Sequence, residues 1–195
     1  MKVNLISDSS IPNISKSRIA LDTNILLWTF YERISNSTGY QKRVYPSFVD
    51  FLLQKGYNNK LYTSIYNILE AFSVIETTEY EIYLEENNST KNNFSKKKFR
   101  LIDSERTRIR SILNLFFEQV INTVEIVENQ ILKNDLIEFY DTYTEQFLDA
   151  NDFAFIKICN QNGFDYLLTD DADFKTYKND CNFTLITGNA HIFAS

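Results

Sequence analysis

The chain of 195 residues carries 44% hydrophobic and 15% aromatic residues with only four glycines and two prolines, which excludes a disordered or fibrous protein and permits a substantial core. Its net charge of -6 excludes nucleic-acid binding by charge over the whole surface, though not through a local basic strip. The two cysteines, Cys159 and Cys181, are too few for a disulfide framework and lack metal-ligand spacing, so they read as packing residues.

The N-terminal stretch "MKVNLISDSSIPNISKSR" is polar throughout and lacks the continuous apolar segment of a signal peptide. No later stretch approaches the ~18 apolar residues of a membrane span, so the expectation is a cytoplasmic protein with no membrane partner. A first strand is predicted at Arg18–Leu21, followed by helical segments in "NILLWTFYERIS" and "PSFVDFLLQKG", where Pro46 suits a helix start and Gly56 a stop. A second strand falls at Leu61–Thr63. From Ser64 a long helix follows, with Ile65, Ile68, Leu69, Phe72 and Ile75 at helical spacing. The polar, Asn-rich and then basic stretch 85–100 reads as a loop or partly disordered insertion. Beyond it come a helix opened by Ser104, a strand at Val120–Val127 and a helix in "NQILKNDLIEFYDTY". A further helix in "DANDFAFIKICNQNG" leads to strands at Asp165–Thr169 and Phe183–Thr187. Short β runs alternating with longer helices imply a parallel sheet covered by helices in one domain over residues 1–195.

In such a sheet, functional groups collect at the carboxyl ends of strands where strand order reverses. Asp22 follows the first strand, in "IALDTNILLW". Asp170, Asp171 and Asp173 follow the fourth, in "LLTDDADF". Glu70 and Asp152 stand on helices that could bring them to the same place, and Asp149 lies one turn before Asp152 on nearly the same face. Each acid alone has a plain structural reading: a helix cap for Asp22, a helix start for Asp149 and Asp152, a solvated position for Glu70, turns for the last three. Asp152 is the hardest to dismiss, because Phe153, Phe155, Ile156, Ile158 and Cys159 make its helix apolar nearly all round, and a charge there needs a partner. Four carboxylates within ~4 Å of one another would repel by roughly 4 kcal/mol per pair at an effective dielectric of about 20. Such a cluster must take up protons, a basic side chain or a cation. Apart from Lys157, one turn beyond Asp152, no Lys or Arg lies beside these motifs, so an all-oxygen site for Mg²⁺ or Mn²⁺ is expected, with hydrolysis of a phosphodiester as its chemistry.

These residues together resemble a known family. "LDTN" at 21–24, Glu70 on the helix after the second strand, "NDFAFIKICNQNG" with Asp152, and "LLTDDADF" with Thr169, Asp171 and Asp173 are similar to the PIN domain of metal-dependent ribonucleases, and most to the toxin ribonucleases of type II toxin–antitoxin pairs. The match runs from Ile19 to Thr187 in the family's order. It implies a three-layer α/β/α PIN-like fold with a central parallel sheet, interrupted here by a helical insertion at about 77–119. It also implies Mg²⁺ or Mn²⁺ held by Asp22, Glu70, Asp152 and Asp171 as ligands or orienters of the attacking water. Asp173 shares the last role with Asp171, Asp149 competes with Asp152, and Thr23, Asn24 and Thr169 give polar support. The partners implied are an RNA substrate, an antitoxin or other protein, and a second copy in a homodimer. The chain departs from the pattern in its length and in Asp170, which adds negative charge beside the site. The alternative is a catalytically inactive PIN-like module that binds RNA or a protein.

An acidic site needs cations elsewhere to attract RNA. Lys96, Lys97, Lys98, Arg100, Arg106 and Arg110 form a candidate RNA-binding arm, with Phe94 and Phe99 as stacking surfaces. The single histidine, His191, excludes cleavage by a histidine pair and any triad built on an internal His. The glycines form neither a phosphate-binding loop nor a dinucleotide fingerprint. An aspartyl-nucleophile phosphatase would want a second Asp where Asn24 stands.

Overall fold

Side chains along Arg18–Leu21 (β2) alternate between two cores. Ile19 and Leu21 enter one apolar cluster and Ala20 the other, all fully buried, so the strand is covered on both faces. The computed structural model describes residues 1–7, 14–33, 39–128 and 131–190; His191 lies outside them. Lys2–Leu5 (β1), Lys60–Ser64 (β3), Glu125–Val127 (β4), Tyr166–Leu168 (β5) and Thr184–Thr187 (β6) complete a six-stranded sheet of order β1-β6-β5-β2-β3-β4, with every pairing parallel.

Thr23–Phe30 (α1), Gln41–Leu52 (α2), Ile65–Glu86 (α3) and Asp103–Thr123 (α5) cover the Ile19/Leu21 face. Lys133–Thr142 (α6) and Ala150–Asn162 (α7) cover the other, making the expected three-layer α/β fold with a central parallel sheet. From β2 the chain builds outward through β3 to β4, then crosses over to place β5 on the opposite side of β2. The strand order therefore reverses between β2 and β5, and a crevice opens above their carboxyl ends.

Several local expectations are corrected. Pro46 lies inside α2 rather than at its start; the helix begins at Gln41 and runs through it. On α3 the buried face is Ile68, Ala71, Ile75 and Glu79, while Ile65 and Leu69 point to solvent. Residues 85–100 are not a loose insertion: α3 extends to Glu86, and a short helix, Lys96–Phe99 (α4), buries Phe99 completely against Tyr80 and Tyr83. Phe94 packs on Tyr83 as well, so neither phenylalanine is a free stacking surface. Helix α5 starts at Asp103 and continues to Thr123, leaving only Glu125–Val127 of the expected third strand. Strand β1 was not expected; it is short, polar at Lys2 and Asn4, and held by pairing with β6. No helix among the described residues is long and apolar enough to cross a membrane.

Candidate functional site

The backbone N–H of Asp22 donates to Leu168 O at 3.1 Å, so Asp22 leaves β2 while still paired to β5. Asp22 is only 4% exposed. One oxygen accepts from the N–H of Thr23 at 2.6 Å and the other from the hydroxyl of Thr169 at 2.9 Å. Thr169 in turn accepts from the N–H of Asp171 at 3.0 Å, so one hydroxyl ties the acid after β2 to the acid after β5. Asp171 is itself the cap of a 3-10 turn, Ala172–Thr176, and accepts from the N–H of Asp173 at 2.8 Å; Asp173 is exposed.

Thr23 links this pair to α3. Its hydroxyl donates to Glu70 at 2.7 Å and accepts from the Asn67 amide at 3.1 Å. Asn67 is fixed by Ser64, whose hydroxyl caps α3 and hydrogen-bonds the Asn67 side chain. Both residues are buried, and sequence reasoning missed both. The spacing Ser64-x-x-Asn67 signals the helix start, but the reach of Asn67 to Thr23 is a tertiary contact with no sequence mark. Asn24 is half-buried in the first turn of α1.

Asp149 and Asp152 separate by use. Asp149 is an ordinary N-cap, one oxygen accepting from the N–H groups of Asn151 and Asp152 at 2.8 and 2.9 Å. The Asp152 side chain has no hydrogen-bond partner among the described residues. Burial pushes its pKa up to about 9, and the charges of Asp22, Asp149, Asp171 and Glu70 add to the shift. Asp22 is pushed up to about 7, chiefly by burial, with the Thr169 and Thr23 hydrogen bonds opposing and the Glu70 and Asp171 charges reinforcing. Burial also raises Glu70 and Asp171. Asp152 thus feels Asp22, Glu70 and Asp171, Asp149 acts on Glu70, Asp152 and Asp171, and no Lys, Arg or His among the described residues relieves them. Lys157, the one nearby cation in the sequence, turns away to Glu138 at 2.5 Å and Asp135 at 4.0 Å.

The donor chemistry, carboxylate and hydroxyl oxygen with uncompensated negative charge, suits a hard divalent cation. As the side chains stand, no group of three or more His, Cys, Asp or Glu among the described residues could hold a metal ion.

Asp170 adds its charge beside Asp171, as expected, but its side chain is held on the α2 side. Its carboxylate accepts from the hydroxyls of Tyr40 and Tyr45 and from the Gln41 amide at 2.5 Å, so it is turned toward α2. Tyr45 also accepts from the N–H of Gly188 at 2.9 Å, and the Asn189 amide donates to the Asp170 carbonyl at 3.0 Å, clasping the β5 and β6 ends together.

The basic arm lies beyond Glu70 along α3. Lys96 bonds Thr77 at 2.7 Å and pairs with Glu76 at 3.0 Å, and Arg100 holds Glu76 bidentately at 2.6 Å. Thr77 is two turns after Glu70 on the same helix face, about 10 Å along the axis. Arg106 pairs with Asp103, and Lys97, Lys98 and Arg110 are exposed. Half of the named cations are therefore spent on intramolecular pairs.

No protein-family model matches the chain, and no curated protein matches it. Among solved structures, the crystal structure of VapBC2 from Rickettsia felis bound to a DNA fragment from their promoter is similar to it over 86% of this chain and 96% of that one, at 17% identity and a TM-score of 0.47.

Proposed function

We propose that this chain is a PIN-like, metal-dependent ribonuclease that hydrolyses RNA phosphodiesters at the β2/β5 crevice. One observation carries the reading: Asp152, from one stretch of sequence, feels the charges of Asp22, Glu70 and Asp171 from three others, Asp22 feels Glu70 and Asp171, and no Lys or Arg among the described residues pairs with any of the four. A cluster kept free of Lys and Arg costs stability unless a cation compensates it, which gives the arrangement a use.

Mg²⁺ or Mn²⁺ is the proposed cofactor, held by Asp152 and Asp171 with Asp22, and with Asp173 at the rim. When bound, such an ion lowers the pKa of water and offsets charge building on the phosphoryl group. Thr169 and Thr23 hold the Asp22 carboxylate in place from both sides. Glu70 accepts from Thr23 with one oxygen, which leaves the other to orient the attacking water and take its proton at that atom. Asp149 keeps the first turn of α7 intact, and so places Asp152. Lys97, Lys98 and Arg110 are the exposed cations available to an RNA backbone, with Lys96, Arg100 and Arg106 shaping the same arm. An antitoxin-like protein and a second copy of the chain are the protein partners this reading entails, in a cytoplasmic setting.

The test is incubation of the purified protein with mixed RNA and Mn²⁺, with and without chelator, beside Asp22→Asn. Cleavage should need the ion and fall at least about 100-fold in the variant, the scale on which removing one preorganised electrostatic group acts. Cleavage that survives the chelator or the substitution overturns the mechanism. RNA binding without cleavage under every ion condition would support the inactive-module alternative.

A further inference from the structure

The loop that delivers Asp149 to the crevice is built of exposed aromatic side chains. Phe147 is 78% exposed and Tyr143 59% exposed, and with Gln146, Leu148 and Asp149 they line a groove of about 310 Å³. We propose that this groove is a nucleobase subsite, in which Phe147 and Tyr143 stack an unpaired base of the RNA strand whose phosphate lies at the acids. The inference rests on the ribonuclease reading and assigns it a single-stranded substrate.

Three observations carry it. First, the platform is anchored to the acid-bearing turn rather than free. The N–H of Phe147 donates to Thr176 Oγ1 at 2.9 Å, and Thr176 donates to the Asp173 carbonyl at 2.7 Å, within the turn that Asp171 caps. Tyr143 is braced edge-on by Phe139 at 5.4 Å, which packs on Phe153 of α7.

Second, the groove has a hydrogen-bonding end. Gln146 is 6% exposed and donates through its amide N–H to Thr142 Oγ1 at 2.8 Å. The Thr142 proton is already committed to the Glu138 carbonyl at 2.8 Å, so the Gln146 amide must present its nitrogen there. Its carbonyl oxygen, without a partner among the described residues, is left as an acceptor for the edge of a base.

Third, the charge of the surroundings selects the occupant. Asp149 lines the groove and Glu145 lies in the same loop, so carboxylates and phosphates alike are kept out of it and a neutral group is what it admits. A base is flat, uncharged where it stacks, and satisfied by aromatic faces whatever its identity. A paired base in a duplex has no exposed face, so double-stranded RNA is excluded from the groove.

The experiment measures binding of a labelled eight-nucleotide 2′-O-methyl oligonucleotide by fluorescence anisotropy in Ca²⁺, about the length a single-strand groove contacts. Wild type, Phe147→Ala and Phe147→Trp are compared, with the same sequence as a duplex as control. Phe147→Ala should weaken single-strand binding about 5- to 150-fold, the span of one lost base–aromatic stack, while Phe147→Trp keeps it and the duplex distinguishes none of them. Phe147 is exposed, so the substitution leaves the core untouched. Unchanged single-strand affinity in Phe147→Ala overturns the subsite, as does a variant that changes only self-association, which would make the patch a contact between copies. If the aromatic dependence holds but no RNA is cut with Mn²⁺, the subsite stands and the nuclease reading fails. If RNA is cut and Phe147→Ala binds as well as wild type, the reverse is true.

Discussion

Two glutamates of helix α3, the buried Glu79 and the half-buried Glu70, are treated oppositely. Glu79 has no exposed surface and is enclosed by the Tyr31 hydroxyl at 2.7 Å, Arg33 at 3.0 Å and Arg108, which also holds Glu105 at 2.8 Å. Glu70, nine residues earlier, receives only the Thr23 hydroxyl; Asp22 receives a backbone N–H and a hydroxyl, Asp171 a backbone N–H, and Asp152 no donor among the described residues. A carboxylate that serves the architecture is given guanidinium partners, whose forked donors satisfy several lone pairs at once. Asp22, Glu70 and Asp171 at the crevice are oriented but not neutralised. Orientation without neutralisation is what the proposed cation would require.

That contrast can be broken from either side. The largest effect is expected from Arg108→Ala, which leaves the fully buried Glu79 with Arg33, itself 45% exposed, as its remaining guanidinium. Loss of about 3 kcal/mol in urea unfolding is expected; a loss under about 1 kcal/mol would mean that Glu79 is not the buried pair it is taken for.

Next comes the response to pH. Asp22 and Asp152 bind protons more tightly folded than unfolded, so their contribution is fully present below about pH 4, is lost as pH rises through about 7 for Asp22, and falls further through about 9 for Asp152. Tm should therefore decline from pH 5 to pH 9. Mn²⁺ should restore it at pH 8 and do little at pH 5, and Asp152→Asn should flatten the decline, gaining about 2–4 °C at pH 8 per kcal/mol recovered. A flat profile that Mn²⁺ leaves unmoved would show that the cluster is not strained by its own charge. The smallest effect sharpens the picture. Arg100 and Lys96 hold the Glu76 carboxyl down to about 2, but Arg100, its first partner, is 57% exposed and open to solvent screening, so Glu76→Gln should cost about 1 kcal/mol, fading at high salt.

The sequence made the sheet readable wherever burial on both faces leaves a continuous apolar run. "RIAL" and "YLL" are strands within a residue of where they were expected, and the acids that follow them meet because those two strands are neighbours. β1 was illegible because Lys2 and Asn4 break such a run, and its pairing to β6 is long-range. The basic stretch looked like a solvated insertion because its cations hide their partners. Glu76, Glu79 and Glu81 stand up to 29 residues away in sequence, and Phe99 enters a small core with Tyr80, Leu84 and Ile109 that only the folded helix pair creates. At the site, the acids could be named from their places after strands and on helices, whereas Ser64, Asn67 and the clasp on Asp170 depend on side chains crossing between elements. Asp149 and Asp152 were indistinguishable by spacing; the cap geometry separates them, since only one is used by backbone donors.

The bridge at Thr169 has a consequence for how this molecule tolerates change. Because one hydroxyl spans the ends of two adjacent strands, the gap between the first and last acids is dictated by β-ladder register, not by any helix packed above it. The long excursion from α3 through α5 can accordingly lengthen, shorten or acquire new surface chemistry while the bracket at the strand ends keeps its gauge.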